Sequence, residues 1–523
     1  MSTYVIAAIR KIIVLGAVIG CLLVTEAEIF AQARSWSSPI QLSPFWMTAA
    51  FPDIATDSTG RTHVVWSSAD DAFDTIVHTS TSQGETWSEA KDIFAFPHNP
   101  GESYVTRPVL SISEQGEVYL GIHGVQDKQY LAQTMYDTAD IPRAWHDLQM
   151  ETSGYHVFPL VAENGKVHVV YTSGSEENMM QRALHLYYMQ YDDNRLTWSE
   201  PVNVSIATNM GAAKPSILMD KENTLHAVWE EGIDGDRGYV VEPVSIMYSQ
   251  LLNDGSSWSK PIKIDIEKDG AVTTEGRNPA IGLDVTGKLV LVWWSMPDNQ
   301  VNFRISKDQG RSWSQPQPIP GVWGVGDSSS TRQDTYSMAT DSAGNLHLVM
   351  VGRQSLEQSG SHVMHLVWDG SNWLPPEVVA TYQDDLPEWP RLSIGLGNQL
   401  HLVWHVRSVT RSNDVISTSF QIWYAHRILN SPGIEPATLP ESSYVAPQSR
   451  TSLAVLPTPT PVSSKLVDVQ LDPSKKQRPQ GLAFSQSLQT ENDEVLLLLI
   501  AVLPIAAIVG LAALVVGIRK ITT

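Results

Sequence analysis

Phe51-Pro-Asp-Ile-Ala-Thr-Asp-Ser-Thr-Gly-Arg-Thr-His-Val-Val-Trp66 is the stretch on which the fold turns. A proline opens a short apolar strand, an Asp/Gly cluster makes a turn, and a second strand ends on an aromatic residue. Alternating apolar residues bounded by turn formers read as a β-hairpin. The same text returns as Lys214-Pro-Ser-Ile-Leu-Met-Asp-Lys-Glu-Asn-Thr-Leu-His-Ala-Val-Trp229, from Asn278-Pro279 to Trp293, and from Trp389-Pro390 to Trp404. Aligned on the opening position, the copies begin at Pro52, Pro108, Pro159, Pro215, Pro279, Tyr336 and Pro390, 51 to 64 residues apart.

A second pattern alternates with the first: a tryptophan followed by a short strand, at Trp36, Trp87, Trp198, Trp258, Trp313 and Trp373, with a weaker copy at Trp145. One further strand lies between the two patterns, as in Thr75-Ile-Val-His-Thr79. Each repeat therefore holds four short strands, and four strands at this period describe a propeller blade. The prediction is an all-β fold, a seven-bladed β-propeller over residues 34–430, with six blades as the alternative. The seventh repeat supplies only three strands, ending at Gln421-Ile-Trp-Tyr-Ala-His426. Its missing outer strand is found at Trp36-Ser-Ser-Pro-Ile-Gln41, so pairing of the two chain ends is expected to close the ring and remove an open sheet edge.

The ends of the chain read differently. Arg10 and Lys11 precede an apolar run from Ile12 to Val24, followed by Ala31-Gln32-Ala33, the small-residue pattern of a secretory signal cleavage site over residues 1–33. Val18-Ile19-Gly20-Cys21 offers lipidation at Cys21 as an alternative. Val495 to Ile518 carries no charge, and its 24 residues at about 1.5 Å each reach about 36 Å, enough to span a bilayer core. Arg519 and Lys520 follow the span, which places the tail 519–523 in the cytoplasm and everything before the span outside. Residues 431–494 include Pro432, Pro436, Pro440, Pro447 and Leu456-Pro-Thr-Pro-Thr-Pro-Val462, a composition expected of a disordered stalk. The expected location is the cell membrane, single-pass, with the propeller outside.

The 523 residues are 42% hydrophobic and include 17 Trp, with a net charge of −21. Such acidity argues against nucleic acid as a partner. Cys21 is the single cysteine, so neither a disulfide nor a thiolate metal site is available to the chain. No cofactor is expected, and the propeller is expected to be a monomer.

Ser306-Lys-Asp308-Gln-Gly310-Arg-Ser312-Trp313 resembles the Asp-box of the sialidase and BNR-repeat superfamily, and Ser80-Thr-Ser-Gln-Gly84-Glu-Thr-Trp87 resembles it with Ser82 in place of the Asp. The resemblance implies a propeller, with the box as a folding device on a blade turn. Sialidases of this superfamily have six blades. They hold a substrate carboxylate with three arginines and use a tyrosine nucleophile paired with glutamate and an aspartate acid/base. The first arginine belongs to an Arg-Ile-Pro motif in the first blade. Here that place reads Ala49-Ala50-Phe51-Pro52, so the catalytic set does not carry over.

Register places one group of residues at one mouth of the central channel. Arg107, Lys214, Arg277, Arg353 and Arg391 are the candidate ligand-binding cations. Glu230, Glu231, Tyr336, Asp53 and Asp70 are the candidate catalytic groups should the site hydrolyse a glycoside. A ring of guanidinium groups suits an anionic sugar, because arginine grips carboxylates in a bidentate fork. Glycan or other extracellular-partner binding is therefore the expected function, with exo-α-sialidase-type hydrolysis as the alternative. His63, His168, His226, His347 and His401 occupy one position in five repeats. Equivalent positions are spread around a ring, so they are expected to be structural and no metal site is expected.

Overall fold

The computed structural model describes residues 35–444, apart from residues 70–72, 83, 98–106, 125–127, 163, 175–183, 194, 206–209, 235–239, 253–254, 256, 266–275, 297, 326–334 and 413–414. The expected signal segment, the transmembrane span and Asp70 all lie outside the described residues. Among the described residues no helix is long and apolar enough to cross a membrane.

Each repeat folds as an antiparallel meander whose first strand is innermost. In the first repeat the order is Ala49–Thr56, Thr62–Ala69, Phe73–Thr81 and Lys91–Pro97. The hydrogen-bonded sheets form an all-β propeller. Four of them have four strands, one has five and one has eight. Separate sheets thus number six among the described residues, not the seven expected from the repeats. The difference lies between the fifth and sixth repeats, at residues 276–324 and 337–382, which merge into the eight-stranded sheet. The outer strand Gln317–Gly324 is long for its position, and its end pairs with the sixth repeat at Trp323↔Arg353 and Gly324↔Gly352. A Cβ on Gly352 would stand 2.8 Å from the Trp323 carbonyl oxygen, so glycine permits this approach.

The core is not one mass but a series of wedges between successive repeats. One wedge joins Val65 and Ile76 of the first repeat to Leu120 and Ile122 of the second. Another joins Trp66 of the first to Val403 and Tyr424 of the seventh, so the wedges run round the whole ring. Trp66, Trp229, Trp293 and Trp404, the aromatics that end four of the second strands, are fully buried in these wedges. Truncating one such side chain costs about 3–5 kcal/mol. This wedge arrangement explains why seventeen tryptophans are compatible with a chain that has no disulfide.

Ile40–Gln41 pairs with Val415–Ile428 in the register Ile40↔Tyr424 and Gln41↔Trp423, which joins the two ends of the ring. Ser37 extends the seam, its amide donating to the His426 carbonyl at 2.9 Å and its hydroxyl accepting from the His426 amide at 2.9 Å. Trp36 is half-buried and packs edge-on against His365 of the sixth repeat, with ring centroids 5.3 Å apart.

Residues 431–444, which composition assigns to the stalk, run along the ring as a strap. The Ile434 amide donates to the Leu396 carbonyl and the Ala437 amide to the Ser58 carbonyl, each at 2.8 Å. The Ser442 amide donates to Asp137 Oδ2 at 2.8 Å. The Ser431 hydroxyl donates to Asp341. These anchors belong to the sixth, seventh, first and second repeats, and most sit on the turns that end the innermost strands. The strap therefore crosses the face opposite the mouth.

Candidate functional site

The opening proline of the repeat has a specific backbone consequence. The preceding residue is left-handed in four repeats: Phe51 (φ 53°), Lys214 (φ 45°), Asn278 (φ 53°) and Trp389 (φ 57°). Non-glycine residues rarely adopt this conformation, and it persists only where the surroundings enforce it. Each of the four coincides with a register shift between the first and second strands, as between Arg277 and Ala280. The kink lifts one side chain and one amide into the mouth. The Asn278 amide donates to Glu230 Oε1 at 2.7 Å, and the Phe51 amide faces His405 Nδ1 at 3.1 Å. Glu230 and His405 both directly follow the closing tryptophan of their own repeat. Each therefore holds the kink of the next repeat round the ring.

A cavity of about 280 Å³ lies at the centre of the ring. Its walls include Asp53, Lys214, Tyr336, Trp389 and Arg391, with Asn278 and Thr335 beside them. Arg391 donates through Nη1 to the Thr335 hydroxyl at 2.5 Å and lies 3.6 Å through Nε from Asp53 Oδ1. Its guanidinium carbon stands 4.6 Å from the centre of the Trp389 ring, within cation–π range. Arg107 approaches the same aromatic group, 5.1 Å from the Phe51 ring and 5.9 Å from Trp389, and its Nη1 lies 3.2 Å from His156 Nε2. Phe51 and Trp389 meet edge to face at 5.1 Å. Lys214 Nζ donates to Asn278 Oδ1 at 2.8 Å and lies 3.4 Å from Glu230 Oε1.

Burial pushes the Asp53 carboxyl up to about 6, against the opposing pull of Arg391 and of the Leu110 amide that donates to it at 2.7 Å. Near neutral pH this carboxylate stands beside Arg391 as its counter-ion. A small fall in pH removes the charge.

Not all the residues expected at the mouth meet there. Asp53, Lys214, Tyr336 and Arg391 line the cavity, with Arg107 behind Trp389. Arg277 turns to Met296, its Nε 3.0 Å from the sulfur, and lies outside the lining. Arg353 donates to the Gly360 carbonyl at 3.0 Å within its own repeat. Glu230 is fully buried against Asn278 and Lys214, and Glu231 is buried beside Ser245. Trp389, Asn278 and His156 were not among the candidates. The first two carry a signal in the sequence, since both directly precede the repeat's proline.

The repeated histidines form a different device. His226 Nε2 lies 3.1 Å from Asp220 Oδ2 and its Nδ1 lies 2.8 Å from the Tyr248 hydroxyl. His63 and His347 bridge Asp57 to His78 and Asp341 to His365 in the same way. His168 and His401 each contact a tyrosine, Tyr188 at 2.8 Å and Tyr424 at 2.7 Å. The next repeat plugs onto those tyrosines. Trp313 meets Tyr248 edge-on at 5.1 Å, Trp258 meets Tyr188 at 5.4 Å and Trp87 meets Tyr424 at 4.7 Å. The Ser306–Trp313 turn that delivers Trp313 is closed by Asp308, which accepts from the Ser312 amide at 2.8 Å and from the Ser306 hydroxyl at 2.8 Å. The Gly310 amide donates to Ser306 Oγ at 2.8 Å. In the first repeat, the Gly84 amide donates to Thr81 Oγ1 at 3.0 Å, and the Ser80 carbonyl accepts from the Ser88 amide at 2.8 Å. Among the described residues no cluster of three or more His, Cys, Asp or Glu is placed to hold a metal ion.

No family model matches the chain, and no curated protein does. Solved structures do match. An ulvan lyase of polysaccharide lyase family PL25, bound to -[GlcA(1-4)Rha3S]-, is 11% identical over 73% of this chain and 95% of its own, with a TM-score of 0.47. The NanB sialidase from Streptococcus pneumoniae is 12% identical over 76% of this chain and 71% of its own, at 0.43. The Trypanosoma rangeli sialidase is 12% identical over 75% of this chain and 58% of its own, at 0.37.

Proposed function

We propose that the mouth of the ring binds an acidic carbohydrate. The observation that carries this reading is the convergence of Arg391, Lys214, Trp389 and Tyr336 from three repeats on one cavity of about 280 Å³. A guanidinium backed by an indole is held in one orientation, and the guanidinium group matches a carboxylate or sulfate in bidentate geometry. The net charge of −21 does not oppose such a ligand, because charges more than about 8 Å away are largely screened at physiological salt. Hydrolysis of the sialidase type is the less favoured reading. It needs a glutamate free to activate a tyrosine, whereas Glu230 is committed to the Asn278 amide and Lys214.

The same proposal covers the setting. We read the eight-stranded sheet as two blades joined at Trp323–Gly324, which makes the ring seven-bladed, with the Ser306–Trp313 turn as a BNR-type box. A cleaved signal, a single C-terminal span and an extracellular propeller complete it. The strap supports this placing, because it takes the chain off the face opposite the mouth and so turns the mouth away from any C-terminal anchor.

The test is an acidic-glycan array probed with the full chain and with Arg391→Ala. Retention that the substitution abolishes is expected. No retention of any carboxylated or sulfated glycan would overturn the reading, and robust turnover of a fluorogenic sialoside would favour the hydrolase.

A further inference from the structure

The loop from the closing strand to the innermost strand of the first repeat carries two outward-facing rings, Phe45 at 86% and Trp46 at 72% exposure. Their backbone is nonetheless tied down. The Met47 amide donates to the Pro44 carbonyl at 3.0 Å. The Gln421 side chain donates to the Met47 carbonyl at 2.9 Å, and the Ser43 hydroxyl donates to Gln421 Oε1 at 2.8 Å. Holding two large rings in water on an anchored turn stabilises nothing in the fold, and exposed apolar surface of this kind marks a contact site.

The loop lies on the mouth side of the ring, against the last strand, whose Phe420 reaches the aromatic group at the mouth. Phe420 packs on Phe51 and Trp389, the two rings that carry Arg107 and Arg391. The next residue, Gln421, is the one that holds the loop. The central cavity, at about 280 Å³, sits at the lower edge of the range usual for a drug-sized ligand. It accommodates one short stretch of a sugar chain, so the rest of a longer chain must lie across the rim. Trp and Phe offer flat apolar faces that suit the C–H face of a sugar ring.

We infer that Phe45 and Trp46 form an outer stacking platform for an acidic polysaccharide whose charged unit sits in the central cavity, so that the ligand is a polymer and not a single sugar. The inference rests on the carbohydrate reading above. Its test is calorimetric titration of the full chain with two ladders, oligogalacturonates and heparin oligosaccharides, each from two to twelve units. Wild type, Trp46→Ala and Arg391→Ala are compared. Trp46 is exposed, so its substitution should leave the melting temperature unchanged. Affinity that rises with length, about tenfold weaker in Trp46→Ala for the long members and within twofold for the disaccharides, is the expected result. Arg391→Ala should weaken every member. Equal affinity of Trp46→Ala and wild type at all lengths would overturn the platform and leave the cavity reading intact. Binding of neither ladder by wild type would overturn both. Wild-type binding to phosphatidylcholine vesicles that Trp46→Ala loses would assign the rings to a lipid surface and overturn the inference.

Discussion

Gly310→Ala should be among the most damaging single-methyl changes in this protein. Gly310 is left-handed at φ +81°, and an added Cβ would stand 1.7 Å from the Tyr248 hydroxyl oxygen. Two costs follow. A left-handed alanine costs about 1–2 kcal/mol, partly offset by a stiffer unfolded chain. The overlap forces Tyr248 to move, and that breaks its 2.8 Å contact with His226 and its edge-on packing with Trp313. With its Nε2 held against Asp220, the buried His226 ring would lose its Nδ1 partner when Tyr248 moves. Leaving a buried polar group unpaired costs about 1–3 kcal/mol and the aromatic pair about 0.5–1.5. The expected total is about 3–5 kcal/mol. Gly255 in the fourth repeat supplies the control, because its φ is +68° but an added Cβ meets nothing within 4 Å. Gly255→Ala should cost only about 1 kcal/mol. Urea unfolding of both variants, followed by tryptophan emission, measures the difference. Equal shifts in the two would refute the lock between Gly310, Tyr248 and His226.

Three further outcomes are expected. Trp36→Ala should cost about 2–3 kcal/mol, less than for a fully buried tryptophan, because Trp36 is only half-buried; a change below 0.5 kcal/mol by the same urea assay, within the range usual for surface positions, would show that the seam rests on the backbone pairing alone. Anion binding at the mouth should strengthen as pH falls through about 6, since protonating Asp53 removes the charge beside Arg391; a titration series from pH 7.5 to 5.5 with flat affinity would contradict it. Stability should fall between pH 7 and 5. Burial lowers His168 and His365 to about 4 and His401 to about 3, so these rings take up protons from 6.5 downward only after unfolding. Asp53 at about 6 and Asp265 at about 7 act in the opposite sense, binding protons while folded, but the depressed imidazoles, His78 and His405 included, outnumber them. Each proton in excess lowers stability by about 1.4 kcal/mol per pH unit, and an unchanged melting temperature across that range would refute the balance.

The repeat hairpins and the pairing of the chain ends were legible because strand periodicity and turn chemistry are local. The structural role of the five histidines was legible from their equivalent positions, though not their tyrosine and aspartate partners, which come from a turn and a third strand. The merging of the fifth and sixth repeats was not legible. It depends on two backbone pairings at Trp323 and Gly324, and backbone pairing between repeats leaves no composition signal. The mouth was half legible. Register placed Asp53, Lys214, Tyr336 and Arg391 on the cavity. The same register also nominated Arg277, which turns instead to Met296. The left-handed residue before each proline was hidden because that dipeptide ordinarily implies an extended chain. The strap was hidden because an extended, proline-rich segment held by backbone hydrogen bonds has the composition of an unattached linker.

That strap has a mechanical consequence. Any tension applied to the C-terminal end arrives first at Ser442 on the second repeat, not at the seam where the last strand leaves the ring. The hydrogen bonds at Asp137, Ser58 and Leu396 lie one after another along the strap, so a pull would break them in turn, each release lengthening the free chain by a few residues. The strap thus behaves as a sacrificial fuse. It absorbs load in small steps and delays the moment at which force reaches the pairing of Ile40–Gln41 with the last strand, the contact that keeps the ring shut.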